Sequence, residues 1–167
     1  MTDQQILPAL ISAAFIGLAY LSVIIFLLGV GLRLYLYIKT PAPLKIAATP
    51  GPKTAGGVAA RLAADVTIFP SLFHADKALW LGAWVFHVFL ALILFRHLRY
   101  FMYPVPGNIV DWQTISVTAG FLFPLPALYL FWRRLALPRT LYISGLPDYV
   151  ALLLLTAIAG TGMLVHY

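Results

Sequence analysis

The chain has 167 residues, room for one domain. Of these, 62% are hydrophobic and only 10% charged, and the mean hydropathy is +0.94. A soluble domain carries about 25% charged residues, so this chain could not cover a water-facing surface and lipid must contact most of it. The absence of cysteine excludes disulfides, thiolate metal sites and protein-ligated iron–sulfur clusters of the usual kind.

Charge-free runs set out the elements. No Asp, Glu, Lys or Arg lies between Asp3 and Arg33, between Lys77 and Arg96, between Asp111 and Arg133, or after Asp148. A helix needs roughly 20 apolar residues to cross the hydrocarbon core, and a spanning segment must be a helix or part of a closed barrel. The runs lack the alternation of a membrane strand. The fold class expected is therefore all-α: an integral membrane helical bundle forming a single domain over 1–167, with spans over about 6–37, 75–103, 112–133 and 147–167. The first run has no basic flank before it and is too long for a signal peptide, so it reads as a retained helix.

The first span ends in Arg33-Leu34-Tyr35-Leu36-Tyr37, a basic and aromatic interface anchor. Pro41, Pro43, Pro50 and Pro52 then mark an extended connector. From about 56 to 73, Ala59, Leu62, Val66 and Phe69 recur at helical spacing with Arg61 and Asp65 between them. This predicts an amphipathic helix on the membrane surface, binding lipid headgroups or a partner subunit. Pro104-Val105-Pro106-Gly107 ends the second span. Pro124 and Pro126 interrupt the third and should kink it. Gly160 and Gly162 in the fourth allow close backbone approach.

The net charge of +6 is unevenly placed. Nine basic residues flank the connections between spans one and two and between spans three and four, whereas Arg96 and Arg99 sit at the opposite side. By the positive-inside rule the two basic connections face the cytoplasm and both termini face outside. The location expected is a prokaryotic cytoplasmic (inner) membrane, with multi-pass topology. Basic residues distributed in this way point to membrane lipid and away from nucleic acid.

Of the four histidines, His87 and His97 lie within the second span. An ionisable group at membrane depth is costly and usually functional. Ten residues separate them, a rise of about 15 Å and a separation of about 80° around the helix. That geometry suits axial ligation of two haems at different depths, each needing a second ligand from elsewhere. The same residues also fit a plainer role, hydrogen bonding to nearby carbonyls within the bundle. A proton relay would normally show buried acids, which the spans lack. His166 should lie at a depth similar to His97 and could clamp an outer haem with it, or be an interfacial histidine. His74 reads as a surface histidine. Arg96 and Arg99 could pair with haem propionates or snorkel to headgroups. Arg133, Arg134 and Arg139 read as topology determinants, and Trp84, Phe86, Tyr100 and Phe101 as bundle packing or as porphyrin neighbours.

The stretches Trp80-Leu81-Gly82-Ala83-Trp84-Val85-Phe86-His87 and Phe95-Arg96-His97-Leu98-Arg99-Tyr100-Phe101 resemble the second helix of the nitrate reductase gamma-subunit family. That family includes the membrane cytochromes b of sulfite-reduction and heterodisulfide-reductase-like complexes. Arg61-Leu62-Ala63-Ala64-Asp65-Val66, Trp132-Arg133-Arg134-Leu135, Pro138-Arg139 and Asp148-Tyr149 follow in similar order and spacing. The resemblance covers roughly residues 10 to 167. It implies a respiratory electron-transfer subunit with one or two b-type haems, exchanging electrons between the quinone pool and an iron–sulfur subunit on the cytoplasmic face, so that quinone or quinol is a possible substrate. It also implies that His87 and His97 each ligate one haem iron. The family draws the opposing ligands from a fifth helix, which this sequence does not contain. They are expected from another membrane subunit or from a further part of the chain. The competing expectation is a haem-free anchor or assembly subunit with structural histidines.

Overall fold

The computed structural model describes residues 3–41 and 51–166, and the side chains of 6–41 and 51–165. Lys45 and most of the proline-rich connector therefore lie outside the described residues. The described residues are 87% helical, with no strand among them. The chain divides into two compact units at residue 50.

Among its described residues the first unit is a single helix, α1 (Asp3–Lys39), apolar on all sides and exposed along its described length. At 1.5 Å per residue it is roughly 55 Å long, well beyond the ~30 Å hydrocarbon core. Its C-terminal end is marked by chemistry. Lys39 lies over the Tyr35 ring at 5.8 Å, and Thr40 donates both its amide and its hydroxyl to the Leu36 carbonyl.

The second unit begins with α2 (Ala55–Thr67), whose first turn is capped by Thr54 Oγ1 accepting from the Gly57 amide at 3.1 Å. The continuous surface helix expected over 56–73 is instead two helices, because α3 (Pro70–Ala75) starts at a proline. Pro70 cannot donate its backbone nitrogen and disfavours a right-handed helical conformation in the residue before it. Phe69 adopts φ 52° and ψ 53°, a left-handed conformation rarely taken by a bulky residue.

Three spans follow. The first is α4 (Lys77–His97), extended by a 3₁₀ turn over Leu98–Tyr100. The short α5 (Gly107–Asp111) leads into the second, made of α6 (Gln113–Leu122) and α7 (Pro124–Ala136). After the short α8 (Pro138–Ile143) comes α9 (Leu146–His166). With α1, this gives four helices long and apolar enough to cross a membrane.

The α6–α7 span sits between α4 and α9 and packs on both. Its composition explains why. Ser116, Ala119, Gly120 and Ala127 are small and buried, which lets neighbouring backbones approach. Ala119, Phe123 and Ala127 form a stripe at i, i+4 and i+8 with exposures of 3%, 1% and 0%. Phe123 and Ala127 join Phe86 of α4 in the core, with Phe89, Leu90, Ile93, Leu130, Leu152, Leu155 and Ala159 around them.

The proline pair interrupts this span as the sequence predicts. Pro124 and Pro126 have no amide to give the Gly120 and Leu122 carbonyls. Phe123 nevertheless stays right-handed helical, with its amide on the Ala119 carbonyl at 2.9 Å.

Gly82 permits the closest approach between α4 and α7. A Cβ there would lie 2.4 Å from Cε1 of Tyr129. Gly82→Ala should destabilise the bundle by on the order of 1–3 kcal/mol through overpacking. Gly160→Ala, where a Cβ meets nothing within 4 Å, should leave stability unchanged. Thermal unfolding of both variants in detergent checks this, and equal midpoints would rule out the close contact.

Candidate functional site

The starting end of α4 is fixed by charge. Asp76 caps the helix, its Oδ1 accepting from the Leu79 amide at 2.8 Å. Its Oδ2 accepts from Arg133 at the end of α7. The Leu79 amide, helped by the Arg133 guanidinium, holds the Asp76 carboxyl below the usual carboxylate range against the opposing effect of burial. A second joint lies nearby. Arg134 donates to Ser144 Oγ at 3.0 Å and lies 3.9 Å from Asp148, whose other carboxylate oxygen accepts from the Gly145 amide at 2.9 Å. Arg133 and Arg134, read from sequence only as topology markers, therefore also tie span to span and span to turn.

Above this joint, α4 holds the α2–α3 corner through two indoles. Trp80 Nε1 donates to the Ile68 carbonyl at 2.7 Å, and Trp84 Nε1 to the Thr67 carbonyl at 3.2 Å. These bonds satisfy backbone acceptors at the frayed end of α2, which α2 itself cannot pair. The two indoles stack at 6.1 Å, and the Phe73 ring meets Trp80 edge-on at 5.0 Å. Trp80, Trp84 and His87 are spaced at i, i+4 and i+7, so they share one side of α4. His87 is accordingly reached by the same corner, with the Phe69 ring centroid 5.1 Å from the imidazole. Sequence reading missed this arrangement. The Pro70 signal was visible, but the partners of the two tryptophans lie 12 and 17 residues away.

His87 and His97 make the same local contact. His87 Nδ1 lies 2.7 Å from the Ala83 carbonyl, and His97 Nδ1 lies 2.7 Å from the Ile93 carbonyl. A carbonyl only accepts, so each Nδ1 carries the proton and donates. In the neutral imidazole each Nε2 then holds a free lone pair, the tautomer that binds iron. Both side chains are exposed. His87 shares its open face of α4 with Leu81, Trp84, Ala91, Leu94 and Leu98. His97 is the last residue of α4, directly before the 3₁₀ turn, and its ring lies 5.8 Å from that of Tyr100. Among the described residues, no group of three or more His, Asp or Glu stands together as a metal cage. A haem iron asks less of the protein, since the porphyrin fills four positions and side chains supply the axial ones.

The structure separates Arg96 and Arg99 from His97. Arg99, two residues on, faces nearly the opposite way, and Arg96, one residue back, points about 100° around the helix. The two guanidiniums instead line a cavity of about 230 Å³ with Val105, Ile109, Val110 and Gln113. The backbone of His166 ends α9, but its side chain lies outside the described residues. His74 is exposed on α3, edge-on to Phe73 at 5.7 Å.

Comparison with known proteins gives these positions a context. The chain is 30% identical, over a 188-residue alignment covering 89% of its length, to the Hdr-like menaquinol oxidoreductase cytochrome b-like subunit of Archaeoglobus fulgidus. It is 31% identical to the subunit of the same name from Archaeoglobus profundus over 100 residues, 53% of the chain. The chain spans 57% of the first relative's length and 30% of the second's. No family model matches it, and no solved structure gives a significant match. The chain is thus a multi-pass membrane protein homologous to cytochrome b-like subunits. This agrees with the membrane cytochrome b family that its helix-two motifs resemble.

Two outcomes test this geometry. The lowered Asp76 pKa means that its contribution to stability is fully present above the unfolded value of about 4, and is lost as pH falls through the lower folded value. Unfolding temperature measured between about pH 5 and pH 3 should therefore fall more steeply for the wild type than for Asp76→Asn, and parallel curves would refute the assignment. Phe69→Gly removes the ring while accepting the positive φ without strain. It should shift the His87 imidazole signals in histidine-labelled NMR and leave tryptophan emission unchanged. An unmoved His87 signal would exclude the Phe69 contact.

Proposed function

We propose that this chain is a haem-b-bearing membrane subunit that passes electrons between the quinone pool and an iron–sulfur partner subunit. The observation that carries the proposal is the pair of imidazoles on α4, each with Nδ1 held by its own helix and Nε2 free on an exposed side. The names of the homologues support the coarser part, a membrane subunit of a quinol-linked oxidoreductase.

The roles follow from placement. His87 and His97 would each hold one haem through Nε2, and their separation of about 15 Å along the helix would set two haems at two depths of one span. The Ala83 and Ile93 carbonyls fix the rings and raise the basicity of the ligating nitrogens. Phe69 and Phe86, with ring centroids 5.1 and 5.2 Å from His87, confine one side of that imidazole. The apolar stem of the span lowers the local dielectric around both. Haem b, when bound, supplies a reversible one-electron iron couple. The opposing ligands belong to another helix, from a neighbouring subunit or a further part of the protein. We place the iron–sulfur partner at the Asp76–Arg133 end, which carries most of the basic residues and the surface helices α2 and α3.

A second reading has its own support. A hydrogen bond to the i−4 carbonyl already suits a structural histidine, so a haem-free anchor would show the same contact.

Reduced-minus-oxidised spectra of the intact complex separate the two. The haem reading expects a b-type alpha band, with His87→Ala and His97→Ala each removing one haem from a complex that still assembles. Full haem content in either variant would sink that ligand assignment, and absence of the band in the wild type would sink the proposal.

A further inference from the structure

The cavity at the far end of α4 is a separate matter from the histidines. Arg96 and Arg99 stand one helical turn apart, both half-buried, and face it together. The Gln113 side chain adds an amide donor, and Val105, Ile109 and Val110 form an apolar wall. Two guanidiniums held side by side repel each other unless an anion lies between them. Neither makes an ion pair among the described residues, although Asp111 ends the adjacent short helix. The contrast with the same unit is plain. Arg61 pairs with Asp65, Arg133 with Asp76 and Arg134 with Asp148. The Arg99 guanidinium lies over the face of the Tyr100 ring at 5.2 Å, which leaves its N–H edges available.

We propose that this cavity is a phosphate-group site, with Arg96 and Arg99 bridging the phosphate oxygens and Gln113 donating a further hydrogen bond. Guanidinium forks match phosphate geometry, and two of them can engage several oxygens of one group. The span ends at Tyr100, so the cavity lies where phospholipid headgroups meet the hydrocarbon, and its apolar wall suits the glycerol and upper acyl carbons. The same chemistry would also take a free phosphate. The site is defined without haem, since His97 is not among the residues that line it.

The test uses the full chain purified with whatever subunits accompany it. Native mass spectrometry counts phospholipid retained from phosphatidylglycerol nanodiscs, and a thermal shift titration in lipid-free detergent uses inorganic phosphate. Arg96→Gln/Arg99→Gln is compared with Arg139→Gln, an exposed arginine outside the cavity. Arg99→Lys serves as the variant that keeps the charge and the fold. One retained phospholipid, weakened about tenfold or more in the double variant, less in Arg99→Lys and not at all in Arg139→Gln, supports a lipid phosphate. A saturable shift with inorganic phosphate, lost in the double variant while no lipid is retained, supports a free phosphate. Equal binding in the double variant and the wild type, or no binding of either probe, overturns the site. So does loss of haem from the double variant with both bindings intact, which would make the cavity a seat for haem propionates.

Discussion

In a helix surrounded by lipid, a side-chain N–H or O–H must find its acceptor close by, and the carbonyl four residues back is the nearest. This constraint recurs along the chain. Ser22, Thr118, Thr156 and Thr161 each donate to that carbonyl at 2.7–2.9 Å. His87 and His97 do the same. For a hydroxyl, the bond uses its one proton and leaves only acceptor lone pairs, as at Ser144, which donates to the Thr140 carbonyl and still accepts from Arg134. An imidazole has a second nitrogen. Meeting the requirement of the membrane therefore leaves Nε2 as the single polar atom each ring still presents, aimed away from its own backbone. The same rule leaves serine and threonine an oxygen lone pair and leaves histidine a nitrogen one.

The spans themselves were legible in the sequence because lipid excludes charge. Among the described residues the charge-free runs coincide with α1, α4, α6–α7 and α9, and Pro124 marks the observed interruption of the third span. The surface segment was less legible. Its apolar spacing continues across Ile68 and Phe69, and periodicity alone runs the helix through them. The break comes from a local steric rule at Pro70, reinforced by two tryptophans on a later helix that take the carbonyls set free. Histidine placement was legible from spacing, but the protonated nitrogen was not, since it depends on which rotamer reaches the carbonyl. The separation of Arg96 and Arg99 from His97 follows from helical geometry. Their shared cavity requires α5 and Gln113 to be in place.

The two ends of the second unit are built differently. At one end, guanidinium and carboxylate pairs fasten α7 to the start of α4 and to the turn before α9, and indole donors fix the α2–α3 corner. At the other, a 3₁₀ turn, a proline-rich loop and two arginines without carboxylate partners surround open space. Rigidity thus lies beside His87, and the solvent-facing chemistry lies beyond His97. Two imidazoles with identical local bonds consequently sit in unlike surroundings, one against aromatic rings and the other at the last turn of its helix.

The Gly82–Tyr129 contact has a mechanical meaning beyond packing. Gly82 is a notch in α4, and the Tyr129 ring is the tooth that enters it. One turn to either side, Ala78 and Phe86 present side chains where the notch would need to be. Sliding α7 along α4 by a turn would drive the tooth into one of them, so the two helices are indexed at a single register, like a ratchet held by its pawl. His87 lies five residues beyond the notch. Its height relative to α7 is therefore set by a missing side chain as well as by the Asp76–Arg133 pair at the start of α4.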